Sequence, residues 1–139
     1  MSNHTSRRMR LLVFCGLALA PIAAFSAACH RSPEKMPSVS ATALADEIRS
    51  GTAPLILDVR SPAEYKSGHI PGSLNIPHDQ LAARLSELGI SKSDEVVVHC
   101  EVGGRAAQAE AILVASGYKR VVDLQGHMKG WRASGLPVE

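Results

Sequence analysis

The sequence predicts an α/β fold in which strands of a mainly parallel sheet alternate with helices that cover both faces. Short apolar runs, typical of buried strands, alternate with longer segments of helical composition over residues 39–139. Glycine and proline separate the two kinds of segment. Because parallel strands need a crossover connection, which a helix usually supplies, this alternation predicts a parallel sheet. A length of 139 residues suits one domain.

The elements are predicted in chain order from local signals. An edge strand at 39–41 precedes a helix that begins at the N-cap Thr42 and ends at Gly51. After an apolar strand, residues 61–64 (Ser-Pro-Ala-Glu) predict a short helix, with a serine cap, an early proline and a glutamate three residues after the serine. The remaining predictions are strands at 55–57, 74–76, 96–98 and 121–122, and helices at 77–88, 106–116 and 126–134.

Residues 1–28 have the pattern of a secretory signal peptide. Arg7, Arg8 and Arg10 precede an apolar run at 11–20, and small residues follow at 23–28. The apolar run is too short for a comfortable membrane span. Residues 6–9 also resemble part of a twin-arginine export signal. We therefore expect a periplasmic protein.

The cysteine after this leader has two open fates. Ser26-Ala27-Ala28-Cys29 resembles the lipobox of bacterial lipoproteins, in which the cysteine is lipidated, although that family usually has leucine at the position of Ser26. The same residues suit ordinary signal peptidase, which would release a soluble protein that begins at Cys29. Residues 29–38 are polar, contain two prolines and are predicted to form a tether to a domain at 39–139.

The basic character of the chain comes from the leader. The formal net charge is +2, but residues 29–139 hold 12 Lys and Arg against 13 Asp and Glu, a net charge of −1. This composition gives no indication of nucleic-acid binding. Cys100 is the one cysteine inside the predicted domain, so no internal disulfide can form there. No Cys-x-x-Cys or His/Cys cluster indicates a metal site, and no cofactor is expected.

Cys100 is the candidate catalytic residue. It lies where a valine-rich strand ends and an alanine-rich helix is about to begin. The first N–H groups of a helix lack intrahelical partners and carry partial positive charge, which favours an anionic thiolate. Gly103 and Gly104 let the backbone curl so that its N–H groups point at an anion, and Arg105 adds a fixed positive charge. The alternative is a buried structural cysteine at a strand end.

An ordered set of motifs resembles a single-domain rhodanese, a thiosulfate sulfurtransferase, over nearly all of residues 39–139. The motifs are Leu57-Asp58-Val59-Arg60, Glu64-Tyr65, the Gly68–Pro77 segment, the Cys100 loop, Leu124-Gln125-Gly126 and Trp131. The resemblance implies a doubly wound sheet of about five strands. It also implies that Cys100 takes a sulfane sulfur from a donor such as thiosulfate, forms a persulfide, and passes the sulfur to cyanide or a thiol.

Loop length separates this expectation from phosphatase or arsenate-reductase chemistry. The loop comprises Cys100, Glu101, Val102, Gly103, Gly104 and Arg105, six residues, which is the sulfurtransferase length. Phosphatases of the same fold have a loop that is one residue longer. A persulfide ends in one anionic atom, and a tighter ring of N–H groups suits it better than a phosphate. A non-catalytic binding module or a redox sensor remains the alternative function.

Several neighbouring residues have two interpretations. Glu101 would repel a dianionic donor, so either its side chain points to solvent, which we expect, or the natural donor is not thiosulfate. Arg105 is expected to organise the loop. Asp58 and Arg60 are candidates to line the substrate mouth; in the alternative, Asp58 holds loop backbone and Arg60 pairs with an acid. His99 should point away from Cys100, because side chains alternate along a strand.

Overall fold

The computed structural model describes residues 36–139, and the strands in this range form one parallel sheet. The predicted signal peptide, Cys29 and most of the predicted tether lie outside the described residues. The strand order is β1-β5-β4-β2-β3, and every neighbouring pair is parallel. The strands are β1 Ser38–Val39, β2 Leu55–Asp58, β3 Leu74–Asn75, β4 Glu95–His99 and β5 Arg120–Leu124. The predicted doubly wound α/β fold is confirmed.

Helices cover both faces of this sheet. They are α1 Ala41–Ser50, α2 Pro62–Lys66, α3 Gly104–Ala115 and α4 His127–Ala133, with two short 3₁₀ helices at Leu81–Ala83 and Leu85–Leu88. On one face, α3 and the 3₁₀ helices bury apolar side chains against alternate residues of β4, Val96 and Val98. On the other face, α1 and α4 pack against Val97. The valine run of β4 is therefore buried on both sides, as expected for a central parallel strand.

Three local predictions need correction. Ser40, not Thr42, is the N-cap of α1, and its side chain accepts a hydrogen bond from the N–H of Ala43. Ser38, assigned to the tether, belongs to β1 and pairs with Asp123 of β5. The segment predicted as one helix at 77–88 forms two 3₁₀ turns instead, because the backbone of Arg84 leaves the helical region (φ −115°, ψ 16°) and neither turn has a side-chain cap.

The strand order places the loop that begins at Cys100 at a topological switch point. After β2 the chain moves outward to β3, then returns to place β4 on the opposite side of β2. In open α/β sheets, ligands bind beyond the carboxyl ends of strands at such a reversal. Cys100 follows β4 directly and Arg60 lies just beyond β2, so both belong to this edge. Within residues 36–139, no helix is long and apolar enough to cross a membrane.

Two buried ionisable side chains near this edge have opposite preferences for protons. Burial lowers the pKa of His99 to about 4, so the ring is neutral in the folded protein. Burial raises the pKa of Glu110 on α3 to about 7, and the charge of Asp123 acts in the same direction. Below pH 6.5, His99 binds a proton in the unfolded chain but not in the folded protein. Between pH 4.5 and pH 7 the folded chain keeps a proton on Glu110 that the unfolded chain releases.

We predict that these two groups mask each other's pH dependence between pH 4.5 and pH 6.5. His99 makes the free energy of unfolding fall as the pH drops, by about 3 kcal/mol when pH 4 is reached, at about 1.4 kcal/mol per pKa unit. Glu110 makes it fall as the pH rises. Urea denaturation across this range should therefore give a shallow profile for the native chain. Glu110→Gln should expose a stability that rises with pH, and His99→Asn should expose one that falls; identical slopes for all three proteins would contradict this.

Candidate active site

The active-site loop begins with Cys100 directly after β4, and α3 begins at Gly104. The Cys100 residue is only 1% exposed, and its side chain packs with the core on the α3 face. The N–H of Gly103 donates a hydrogen bond to Cys100 Sγ over 3.0 Å. Gly103 has a φ of 120°, a conformation that residues with a side chain rarely adopt. The backbone thus curls around the sulfur, as the two glycines predict.

Arg105 forms an ion pair with α2 and also lies close enough to Cys100 to interact with its sulfur. Its Nη1 and Nη2 donate to the two carboxylate oxygens of Glu64 over 2.6 and 2.7 Å. This bidentate pair lowers the pKa of Glu64 and raises that of Arg105. Glu64 also completes the predicted capping box with Ser61. The pair joins Arg105 of the loop to α2; sequence reasoning placed Glu64 in a helix cap and in the Glu64-Tyr65 motif but did not predict this partner.

Asp58 and Arg60 form a buried ion pair beneath the loop. Arg60 Nη2 lies 2.7 Å from Asp58 Oδ2, and Asp58 Oδ1 also accepts the backbone N–H of Arg60 over 2.9 Å. Although burial opposes its charge, the bonds and charge of Asp58 raise the pKa of Arg60. Both residues are fully buried, so neither lines a solvent-open mouth. Of the two interpretations above, the geometry selects the pairing of Arg60 with an acid.

The same network reaches two other segments. Arg60 Nη2 donates to the carbonyl of Gly68 over 2.9 Å. The side-chain amide of Asn75 in β3 donates to the carbonyls of Asp58 and Arg60, each over 2.9 Å. The residues of the Leu57–Arg60 and Gly68–Pro77 motifs therefore hold each other's backbone. Their shared role is structural support of the edge at which the loop lies.

Glu101 does not simply point to solvent, contrary to the expectation. Its side chain is 33% exposed, and its carboxylate lies between two arginines. Arg132 Nη1 on α4 lies 2.9 Å from Oε1 and 3.1 Å from Oε2, while Arg60 Nη1 lies 3.4 Å from Oε2. The negative charge beside the nucleophile is therefore compensated by neighbouring cations. Sequence reasoning missed this arrangement because 31 and 41 residues separate the partners.

Helix α4 holds the beginning of the loop by backbone hydrogen bonds. The N–H of Met128 donates to the carbonyl of Cys100 over 3.0 Å, and that of Lys129 to the carbonyl of Glu101 over 3.1 Å. The next loop residue, Val102, is 68% exposed. The loop is thus attached to α2 through Arg105 and to α4 through its first two carbonyls, and its tip faces solvent.

His99 and the metal question complete the site. His99 alternates with Cys100 along β4 and is fully buried, with Nε2 3.8 Å from Asp58 Oδ2. Because its burial opposes the charged form, a base role toward the thiol finds no support in this position. Among residues 36–139, no group of three His, Cys, Asp or Glu side chains is close enough to hold a metal ion. The site thus contains one cysteine thiol, a backbone N–H that donates to its sulfur, and ion pairs on the segments around the loop.

Known proteins share this sequence pattern and fold. Residues 40–134 match the family model described as a rhodanese-like domain. A sulfurtransferase of Allochromatium vinosum is 42% identical over 84 residues, which cover 60% of this chain and 77% of that protein. A chloroplastic thiosulfate sulfurtransferase of Arabidopsis thaliana is 33% identical over 114 residues, which cover 73% of this chain and 92% of that protein.

A solved structure agrees with these sequence matches. The crystal structure of a rhodanese-related protein from Thermoplasma volcanium is 32% identical and superposes with a TM-score of 0.64. The match covers 74% of this chain and 97% of that one. The five-stranded parallel sheet, the position of Cys100 at its switch point and the family match over most of the described domain lead to one assignment. The chain belongs to the rhodanese-like family, together with proteins named as sulfurtransferases.

Proposed function

We propose that the chain is a sulfurtransferase that carries a sulfane sulfur as a persulfide on Cys100. The observation that carries the proposal is the hydrogen bond from the Gly103 N–H to Cys100 Sγ, within a six-residue loop between a strand and a helix. A donor at this position stabilises negative charge on the sulfur once the thiol has lost its proton. After transfer, the same curled backbone provides N–H groups for the terminal sulfur of the persulfide.

The reaction proceeds by two displacements at sulfur. In the first, the Cys100 thiolate attacks the outer sulfur of thiosulfate; an S–S bond forms to cysteine, the S–S bond of thiosulfate breaks, and sulfite leaves with the electron pair. In the second, cyanide attacks the outer sulfur of the persulfide; thiocyanate forms and the thiolate returns. A thiol acceptor would take the sulfur in the same way. Neither step needs an external oxidant or reductant, and covalent catalysis of this kind gives ping-pong kinetics.

One observation favours the alternative, a non-catalytic binding module. Cys100 is almost fully buried, whereas nucleophilic cysteines are usually partly accessible. The same burial disfavours a redox sensor, which needs an accessible thiol. We favour catalysis because the loop supplies a donor to Sγ, an interaction that a purely structural cysteine does not need. A sulfur-donor molecule that presents a single terminal sulfur atom is also small enough at that end to reach a cysteine with little exposed surface.

The first prediction concerns the persulfide itself. Thiosulfate should add one sulfur atom, about 32 Da, to the native domain, and cyanide should remove it with formation of thiocyanate. Cys100→Ser should gain no mass, because its hydroxyl is a far weaker nucleophile. Intact-mass spectrometry before and after each reagent measures both steps. A folded native domain that gains no sulfur from thiosulfate or from a cysteine persulfide would rule out the transferase and leave the binding module.

The second prediction concerns the compensated charge of Glu101. Glu101→Gln keeps a hydrogen-bond acceptor but leaves Arg60 and Arg132 without their shared anion, so the local potential becomes more positive. At low ionic strength, kcat/KM for thiosulfate should rise about two- to fivefold, and Arg132→Gln should lower it. High salt should remove both differences. An unchanged kcat/KM for both variants at low salt would show that this charge has no effect on the donor.

We also propose, from the sequence of residues 1–38, that the domain acts in the periplasm. The leader directs export, and Cys29 either carries a lipid anchor or begins a soluble chain. The mass of the N-terminal peptide from the mature protein distinguishes the two forms, and an intact residue 1 would overturn export by this leader. The partners expected under this proposal are a small sulfur donor and a thiol or cyanide acceptor.

A further inference from the structure

His127, the first residue of α4, has an unusual backbone conformation. Its φ is 51°, and among residues 36–139 it is the one residue other than glycine with a positive φ. Side-chain-bearing residues are disfavoured there, and such conformations persist when the surrounding structure holds them. The preceding Gly126 is also left-handed, with a φ of 76°. A glycine at 127 would adopt this backbone with less strain, so the side chain needs an explanation.

The side chain of His127 lies directly against the active-site loop. A Cβ built on Gly103 would lie 2.7 Å from His127 Nε2, too short for a real contact, and 3.3 Å from Cδ2, which is tight. The imidazole ring therefore occupies the space beside the Gly103 Cα. Gly103 is also the residue whose N–H donates to Cys100 Sγ. One residue thus separates the ring from the reactive sulfur.

The hydrogen bonds of the ring do not explain its position. Its Nε2 lies 3.7 Å from Asp123 Oδ1, beyond normal hydrogen-bond length, and its Nδ1 is buried without any partner. A buried nitrogen without a partner costs stability. Titratable groups near the ring include Asp123 and the neutral His99. Glu110 interacts with Asp123 in turn. The ring is therefore held mainly by packing, and its close packing partner is the loop backbone.

Helix α4 contacts the loop through two backbone hydrogen bonds and through the ring of His127. The N–H groups of Met128 and Lys129 hold the carbonyls of Cys100 and Glu101, the first two residues of the loop. Arg105 holds the far end through Glu64. Gly103 lies between these attachments, and its conformation sets the direction of the N–H that reaches the sulfur. The ring of His127 is the side chain nearest to the position that a Cβ on Gly103 would take.

We infer that His127 is a positioning residue for the sulfur-carrying loop: its ring keeps Gly103 in the conformation that directs its N–H at Cys100 Sγ. The part of this inference that concerns sulfur transfer rests on the proposed function, while the effect on the thiolate does not. In this role His127 acts without touching the donor or the acceptor. It acts on the reaction through Gly103 alone.

The test compares His127→Gly with Ala133→Gly at the exposed C-terminal end of the same helix. Glycine at 127 accepts the left-handed backbone and removes only the ring, whereas glycine at 133 weakens α4 without touching the loop. For His127→Gly, we expect kcat for thiosulfate to fall about tenfold with KM changed less than about twofold, because a backbone donor at the reacting sulfur is misdirected. We also expect the ultraviolet absorbance of the thiolate to appear at a higher pH than in the native chain. Ala133→Gly should change neither. Circular dichroism and melting temperature confirm that both are folded.

A double-mutant cycle tests the contact itself. Gly103→Ala should lose folding stability and thiolate absorbance, since its Cβ meets the ring and its φ is strained. Adding His127→Gly removes the steric part, so the double variant should recover part of both losses. Purely additive losses, or a His127→Gly variant with native kcat and thiolate absorbance, would overturn the inference. If the native chain takes up no sulfur, the proposed function fails, and absorbance and the cycle still decide the role of His127.

Discussion

The structure depends on one constraint: a short stretch of backbone must stay curled so that a peptide N–H points at a sulfur atom. A flexible loop would not hold this shape, because Gly103 and Gly104 pay the largest entropic cost of ordering. The chain meets the cost with attachments on two sides. Arg105 joins the loop to α2 through Glu64, and the first N–H groups of α4 hold its carbonyls. The rigid central strand β4 delivers Cys100 to the point between them.

Charge around the loop is arranged in compensated pairs and not as an open basic patch. Arg60 is neutralised by Asp58 and Arg105 by Glu64, while Glu101 and Arg132 bind each other. Arg60 contacts both the buried Asp58 and the partly exposed Glu101 of the loop, so it connects these two carboxylates. Beside these pairs, the N–H of Gly103 adds an oriented dipole that points at Cys100 Sγ. Because the folded backbone fixes this dipole, it needs no rearrangement to interact with charge on the sulfur.

The sequence predicted the sheet well because a buried parallel strand leaves a strong local signal. The apolar runs of β2 and β4 and the glycines after Cys100 were sufficient to place this cysteine beyond the carboxyl end of its strand. Prediction failed where packing decides the outcome. The leucine spacing at 81, 85 and 88 suits an α-helix and 3₁₀ turns alike, and only the backbone of Arg84 shows which one forms. Ser40 was predicted to belong to the edge strand, yet its side chain caps α1 in place of Thr42.

The site residues that sequence reasoning missed share one property: their partners are distant in the chain. Glu64 looked like a helix cap, and its ion pair with Arg105 spans 41 residues. Arg132 could not be assigned to solvent or to the site until Glu101 was found beside it. Nothing in the sequence pointed to His127, because neither a histidine nor its neighbours reveal that the backbone there is left-handed. Asp58 and Arg60 were named as candidates for the substrate mouth, but both are buried, and this burial follows only from the closure of the sheet.

Unfavourable local features are concentrated around this loop. Of the buried side-chain nitrogen and oxygen atoms without a hydrogen-bond partner in residues 36–139, three belong to His99, Glu110 and His127, and the fourth is the hydroxyl of Ser73. The first three residues lie next to Cys100, behind Asp123 and against Gly103, respectively. A protein selected for stability alone would replace such groups with apolar side chains. Their accumulation at one edge of an otherwise well-packed sheet is expected when a site must hold a strained backbone in place before its substrate arrives, because stability is then given up locally for a fixed geometry around the sulfur.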